Sequence, residues 1–403
     1  MRKQIIIYLS TFLLLILITV LLIFYGKGYI FDFQKGKIEI SVNGLLAATS
    51  QPDGAGIYIN DHLTSATNNT ISLSPGEYDV KIVKEGYFPW RKKIKIEKEV
   101  VSSVYALLFP TAPRLESITD TGVSNPTLDP SRTKLAYTVS SFDSVRKNGV
   151  YILDMSLRPI LTLQSSSSQI ADDTLDAFSK ALLSWSPDAE ELLATISGQL
   201  NATYLLKTNF NENPQDVTQT LDSVADVWSK EKIGRERSKL ASLKPKLRNL
   251  INEDFKIISW SLDETKILYS ATDSATLPII INPRLIGANS TPEDRILKKG
   301  SIYVYDIKED RNYKILDSLD NFPSSDYENK LPIKWFTDSK HLIYVNNKKI
   351  DIMEYDGQNS TTIYAGPFVD GFVFAWPDGS KLVMLTSLGN PNIAPNLYTI
   401  SLK

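Results

Sequence analysis

Residues 184–197 read SWSPDAEELLATIS: an aromatic residue, a short polar turn holding an Asp, then an apolar run. The same order recurs at 126–140 (PTLDPSRTKLAYTVS), 259–272 (SWSLDETKILYSAT), 334–347 (KWFTDSKHLIYVNN) and 375–387 (AWPDGSKLVMLTS), with the Trp missing from the first. A second strand-like run follows each: GVYILDM (149–155), ATYLLKT (202–208), SIYVYDI (301–307), KIDIMEYD (349–356) and NLYTISL (396–402). A unit of this size cannot bury both faces of its sheet alone, so such units stack around an axis, and the repeat predicts a β-propeller over 110–403. Five units are visible, and the long gaps between them leave room for a sixth, giving five to six blades.

The repeated Asp129, Asp188, Asp263, Asp338 and Asp378 are expected to accept backbone N–H groups and fix their turns. Trp185, Trp260, Trp335 and Trp376 stand before the turns and are expected to pack between adjacent sheets. Both sets are structural in this reading and belong to no active site. The pattern W-S-P-D-x-x-x-L followed by an apolar strand resembles the TolB-type, WD-repeat-like propellers. That resemblance implies protein or ligand binding on the propeller faces.

One stretch breaks the repeat. Over 222–251, Val224, Val227 and Trp228, then Leu240, Leu243, Leu247 and Leu250, recur at helical spacing, and Pro245 divides the stretch in two. It predicts a helical insertion after the second blade, covering an edge or one mouth of the propeller. Its segment SKEKIGRERSK supplies a basic patch, Lys230, Lys232, Arg235, Arg237 and Lys239, able to recruit an acidic partner, to lie on anionic lipid or to form a solvated face. Residues 274–299, rich in Pro, Asn and Gly, predict a long loop over one face.

Ahead of the propeller, after a link at 28–37, residues 38–109 alternate polar and apolar residues in GIYIN (56–60), YDVKIV (78–83) and KIKIEK (93–98), separated by Pro52-Asp53-Gly54, Asn60-Asp61, Asn68-Asn69 and Ser74-Pro75-Gly76. Period-two alternation between turn signals predicts a small antiparallel β-sandwich. The cationic run Arg91, Lys92, Lys93, Lys95 and Lys98 reads as a charged edge strand or as a contact for an anionic polymer or lipid headgroups. Pro52-Asp53-Gly54-Ala55, then IYIND, then LSPGEYDVKIVKEGY at 73–87 resembles the PEGA domain, with Asp53 in place of the family's Glu and LTSATNNT in place of its Gly-x-Thr-Pro. The resemblance implies an envelope-associated, non-catalytic β module.

At the N-terminus, IIIYLSTFLLLILITVLLIFYG (5–26) carries no charge over 22 residues. As a helix it would be about 33 Å long, so residues 1–27 are expected to be a single-pass transmembrane anchor. Arg2 and Lys3 favour an inside N-terminus and an extracytoplasmic body, diluted by Lys27, Lys35 and Lys37 beyond the span.

Composition removes several chemistries. With no Cys there are no disulfides, thiolate metal sites or Cys nucleophiles, and with only His62 and His341 most zinc and His acid–base designs lapse. A net charge of -2 gives no global drive toward nucleic acid. No phosphate loop, nucleophile elbow or HExxH motif occurs. The expectation is an all-β, membrane-anchored binding or scaffolding protein of the cell envelope. It has no catalytic residue, metal or cofactor, and its partner is a protein or a cell-wall glycan. The alternative is a propeller enzyme acting on surface glycans.

Overall fold

The computed structural model describes residues 2–26, 29–34, 37–141, 144–156, 167–198, 201–318 and 331–403, with side chains from 7 to 23 and from 43 onward. The chain divides into two compact units, one made of residues 1–111 with 281–293, the other of 112–280 with 294–403.

The first unit opens with helix α1 (Arg2–Gly26). Here the expected membrane anchor is corrected: among the described residues no helix is long and apolar enough to cross a membrane. The single-pass localisation, with the orientation read from flanking charges, falls with it. Lys27 and Lys35, two of those charges, lie outside the described residues.

Strands β1 (Tyr29–Gln34) and β2 (Lys37–Val42) pair as an antiparallel hairpin over most of the expected link. Then come β3 (Gly44–Gln51), β4 (Gly56–Ile59), β5 (His62–Ala66), β6 (Asn69–Leu73), β7 (Gly76–Val83), β8 (Trp90–Ile96) and β9 (Val101–Leu107). They form two sheets, β6-β3-β9 and β5-β4-β7-β8, with β3 and β9 parallel. Alternation puts Leu46 and Ala48 of β3, Ile57 and Ile59 of β4, Val80 and Ile82 of β7 and Ile94 and Ile96 of β8 into one core. Asn60 and Asp61, both at positive φ, form the two-residue loop between paired Ile59 and His62, the backbone that Asn and Asp tolerate in tight hairpins. All of the cationic run but Lys98 lies on edge strand β8, where Arg91, Lys93 and Lys95 point outward and Ile94 and Ile96 inward. Ser290, from the segment 281–293, accepts the Lys95 N–H at 3.0 Å and so covers part of that edge.

The second unit begins with β10 (Leu115–Ser117). Four consecutive antiparallel sheets follow. Blade 1 is β11 (Ser124–Leu128), β12 (Lys134–Val139), β13 (Gly149–Asp154) and β14 (Ser167–Asp172). Blade 2 is β15 (Leu182–Trp185), β16 (Glu191–Ile196), β17 (Ala202–Lys207) and β18 (Gln215–Asp216). Two helices then intervene, α2 (Leu221–Ala241) and α3 (Pro245–Asp254). Blade 3 is β19 (Phe255–Trp260), β20 (Lys266–Ala271), β21 (Ile302–Asp306) and β22 (Arg311–Leu316). Blade 4 is β23 (Ile333–Trp335), β24 (His341–Asn346), β25 (Lys349–Glu354) and β26 (Thr361–Ala365). Blade 5 is β27 (Val373–Ala375), β28 (Lys381–Thr386) and β29 (Asn396–Ser401), completed by β10 beside β29. A strand from the start of the unit thus closes the last sheet, and the described residues form a five-bladed propeller.

Each strand next to the inner one is buried on both faces, which is why its sequence is an apolar run. On β12, Leu135, Tyr137 and Val139 pack with Phe374, Val383 and Leu385 of blade 5. Ala136 lies in the core shared with Leu192 and Ala194 of blade 2. Blades 3 and 4 share Leu268, Val304, Ile333, Trp335 and Leu342. Between blades 2 and 3 stand the helices. Pro245 takes the first helical position of α3, where its missing N–H costs nothing. Leu247, Leu250 and Ile251 pack on Phe255, Ile267 and Tyr269 of blade 3. Helix α2 has no fully buried residue, and its half-buried Leu240 packs against the blade 3 core.

The long loop 274–299 has its ends tied in this unit by Asp310, which is wholly buried. Its carboxylate accepts the Ile280 N–H at 2.7 Å and the Tyr305 hydroxyl at 2.6 Å, and pairs with Arg295 at 2.9 Å. The middle of the loop, 281–293, belongs to the first unit.

Candidate binding cavity

The five turns between inner and second strands are equivalent by hydrogen bonding. The N–H groups of Asp129, Ser186, Ser261, Phe336 and Trp376 each donate to the carbonyl five residues on, Lys134, Glu191, Lys266, His341 and Lys381, at 2.9–3.0 Å. Three residues into each turn stands a left-handed residue, Arg132, Ala189, Glu264, Ser339 or Gly379.

Asp188, Asp263, Asp338 and Asp378 take the same place in this frame, two residues after the first turn residue. Ser186 Oγ and the Glu190 N–H bond Asp188 and hold its carboxyl below the usual range. Burial pushes Asp263 up, but bonds from Ser261 and Thr265 outweigh it and the net direction is down. Asp338 is likewise lowered against its burial, by His341 Nδ1 at 2.6 Å and the N–H groups of Lys340 and His341. Asp378 accepts from the Ser380 N–H at 2.8 Å. Asp129 sits two residues earlier, where blades 2 and 3 carry Ser and blades 4 and 5 carry Phe and Trp, yet serves the same end by accepting the N–H groups of Ser131, Thr133 and Lys134.

The Trp set splits. Trp185 donates its indole N–H to Thr127 O of blade 1 at 3.1 Å, and Trp335 to Ser259 O of blade 3 at 3.3 Å. Both acceptors occupy the same position of the preceding blade. Trp260 has the helices at that seam and donates to Glu236 Oε2 of α2 at 3.0 Å. Trp376 falls one residue later than the others, because its turn has one residue fewer between Trp and Asp; Ala375 takes the position of the other Trp side chains.

The inner strands enclose a cavity of about 720 Å³. All five contribute: Thr127 from β11, Trp185 from β15, Ser259 from β19, Ile333 from β23 and Phe374 from β27. From α2 come Lys232, Arg235, Glu236 and Lys239, residues that a helix places on one face. Lys230 and Arg237 of the expected basic patch stand on α2 away from the lining, exposed. The structure therefore brings Lys232, Arg235 and Lys239 to the cavity and leaves the other two outside. Arg235 donates to Pro187 O of blade 2 at 2.6 Å, and Lys239 pairs with Glu264 of blade 3 at 3.2 Å, so α2 bridges the two blades.

Two further cations line the cavity that sequence reading missed, Arg132 and Lys334. Lys334 precedes Trp335 where Ser184 and Ser259 precede theirs, a break in the repeat that could have drawn notice. Its ammonium donates to Gly371 O at 3.1 Å and Val373 O at 3.2 Å, and lies 4.9 Å from the Phe374 ring centre. Burial, and then the Arg132 guanidinium, push its pKa down to about 7. Among the described residues the lining carries five cationic side chains and two carboxylates, Asp129 and Glu236. Both carboxylates are engaged, Asp129 in its turn and Glu236 with Trp260.

Residues 43–111 match the family described as PEGA domain. No curated protein matches the chain. Among solved structures, TolB from Acinetobacter baumannii is similar at 14% identity over 89% of this chain and 64% of that one, with a TM-score of 0.23. This chain thus spans less than two thirds of that protein. The WD40 β-propeller domain of Doa1 is similar at 12% identity over 72% of this chain and 97% of that one, with a TM-score of 0.27. Oligogalacturonate lyase in complex with manganese is similar at 11% identity over 83% and 80%, with a TM-score of 0.22. At these scores the likeness carries no argument, and the propeller assignment rests on the order of the sheets. The chain is thus a PEGA-type module followed by a propeller.

Proposed function

We propose that this protein is a binding or scaffolding protein of the cell envelope, with the propeller cavity receiving a protein partner and the PEGA-type unit acting as a spacer or wall contact. The cavity carries this reading. It has the volume of a ligand site, and its walls come from every blade, as expected of a site built at the axis of a ring. A glycosidase would place two carboxyl groups across the cleft, one as acid and one as base or nucleophile. The two carboxylates of this lining are occupied by a turn and by an indole, which favours holding over hydrolysis.

The test is affinity capture from envelope extracts with the full chain as bait, beside a variant with a filled cavity. Leu182 lines the cavity and is 54% exposed, so Leu182→Trp adds bulk without entering the core. One protein retained in stoichiometric amount by the native chain, and lost with Leu182→Trp, supports the reading. Capture indifferent to the filling, or release of sugars from a surface glycan by the native chain, overturns it.

A further inference from the structure

We propose that the side chains of Lys266 and Asp306 join as an internal amide that staples the second and third strands of blade 3, with Thr265 and Asp263 carrying a proton that the nitrogen gives up. This goes beyond the proposed function and does not depend on it, since it concerns a covalent bond within one blade.

The parts that such a reaction needs stand together. The nucleophile and the carbon it attacks come from directly opposed residues of β20 and β21. Both residues are buried, Lys266 at 8% exposure and Asp306 at 4%. The Lys266 nitrogen lies 3.9 Å from Asp306 Oδ2, beyond a hydrogen bond and close to the roughly 3–3.5 Å at which reacting atoms meet. The other oxygen, Oδ1, accepts the N–H groups of Lys308 and Glu309 at 2.9 Å each. Two backbone donors on one oxygen are what a developing oxyanion needs. The nitrogen donates to Thr265 Oγ1 at 3.0 Å, and that hydroxyl donates to Asp263 Oδ1 at 2.8 Å, so amine, hydroxyl and exposed carboxylate form a relay. The surroundings are apolar. Leu268 and Val304, on the same strand faces, belong to the core shared with Met353 of blade 4, and the Tyr355 ring centre is 4.8 Å from the nitrogen. Burial pushes the Asp306 carboxyl up, toward the protonated form that an amine can attack. A buried ion pair carries a desolvation cost that a neutral amide does not.

The step balances in atoms and charge. The ammonium and the carboxylate exchange a proton to give an amine and a carboxylic acid. The Lys266 nitrogen attacks Asp306 Cγ, and Oδ1 takes the negative charge against its two N–H donors. A proton passes from the nitrogen through Thr265 to Asp263 and is given up to Oδ2 as the Cγ–Oδ2 bond breaks. One water leaves, and nothing is oxidised or reduced. The new bond closes the loop from Lys266 to Asp306, which contains the long insertion 274–299, so a pull on that insertion meets a covalent bond at its base.

The experiment is a tryptic peptide map of the folded full chain by tandem mass spectrometry. The expected product joins residues 257–284 to residues 300–308 as one branched peptide, uncut after Lys266 and lighter than their sum by one water. Hydroxylamine should leave it intact, which separates it from a cyclic imide at an Asp-Gly pair such as Asp356-Gly357, which also forms with loss of water. Lys266→Arg and Asp306→Ala should each abolish the branched peptide. Asp263→Asn keeps an oxygen for Thr265 but cannot take up a proton, and should slow the appearance of the branched peptide in freshly synthesised chain about tenfold or more. Unchanged circular dichroism certifies that variant. Finding only the separate peptides 257–266 and 300–308 in the native chain overturns the proposal, whatever the variants do. A branched peptide that persists in Lys266→Arg overturns the nucleophile, and one that forms at the native rate in Asp263→Asn overturns the relay.

Discussion

Trp260 donates its indole N–H to Glu236 Oε2 at 3.0 Å, whereas Trp185 and Trp335, at equivalent positions, donate to a carbonyl of the neighbouring blade. A side chain of α2 therefore stands in for a strand. Glu236→Ala removes the acceptor and should cost about 1–2 kcal/mol, and Glu236→Gln, which keeps an amide oxygen, about half of that. Midpoints of denaturant unfolding, compared at constant slope, measure both. Equal losses would mean that the bond to Trp260 does not set the cost.

Asp129 and Asp378 mark the extremes of turn fixing. Asp129 is 1% exposed and accepts three backbone N–H groups, while Asp378 is exposed and bonds the Ser380 N–H. Asp129→Ala strands buried donors and should lower stability by about 2–3 kcal/mol, and Asp378→Ala by less than about 1 kcal/mol. Calorimetric unfolding of the two variants would reveal the order, and a reversed order would contradict the assignment.

Gly149 opens β13 at φ 139, where an added Cβ would meet the Ala171 carbonyl and the Asp172 backbone of β14. Neither obstacle is the end of a flexible side chain. Gly149→Ala should destabilise the protein by about 3 kcal/mol or more, or prevent folding. A variant as stable as the native chain would show that blade 1 is free to shift its outer strand.

Lys334 gives stability a dependence on pH. Its folded pKa, about 7, lies below its usual value of 10.5. Between the two, the unfolded chain holds a proton that the folded chain has released. Stability therefore rises with pH across that window, by at most about 1.4 kcal/mol per pH unit, and the contribution is level below it. The charged groups that share the cavity are Arg132, Asp129, Lys232, Arg235, Glu236 and Lys239. Lys334→Met should remove this part of the rise between about pH 7.5 and 9, seen as the difference in slope between variant and native chain. Parallel slopes would place the lysine's proton elsewhere.

Much of the ring was legible because its signal is local. A Trp, two residues, an Asp and an apolar run form a single turn and its strand, and SWSPD and SWSLD announce blades 2 and 3 without reference to anything distant. Asp129 and Trp376 were legible as residue types but not as positions, since offsets of two residues and one residue show only in the bonding of the turns. β10 was not legible. LES is three residues long, exposed, and a strand only because β29 lies beside it. The cavity was half legible: the spacing of Lys232, Arg235 and Lys239 puts them on one helical face, but nothing local says that this face looks toward Arg132 and Lys334. The N-terminal run misled in another way. Freedom from charge was read from the run alone, whereas among the described residues no helix is long and apolar enough to cross a membrane.

Closure by β10 also fixes how the ring would bear load. Tension arriving along the chain from residue 111 meets the propeller first at the Arg114 carbonyl, which accepts the Ser401 N–H, and then at the pairs Leu115–Ile400, Glu116–Thr399 and Ser117–Tyr398. Those pairs form the shortest ladder in blade 5 apart from that of β27, which has the same number of pairs. The latch that makes the circle continuous is therefore also its mechanical fuse, and under a pull from that end the ring would unzip from blade 5 while the other four sheets still held.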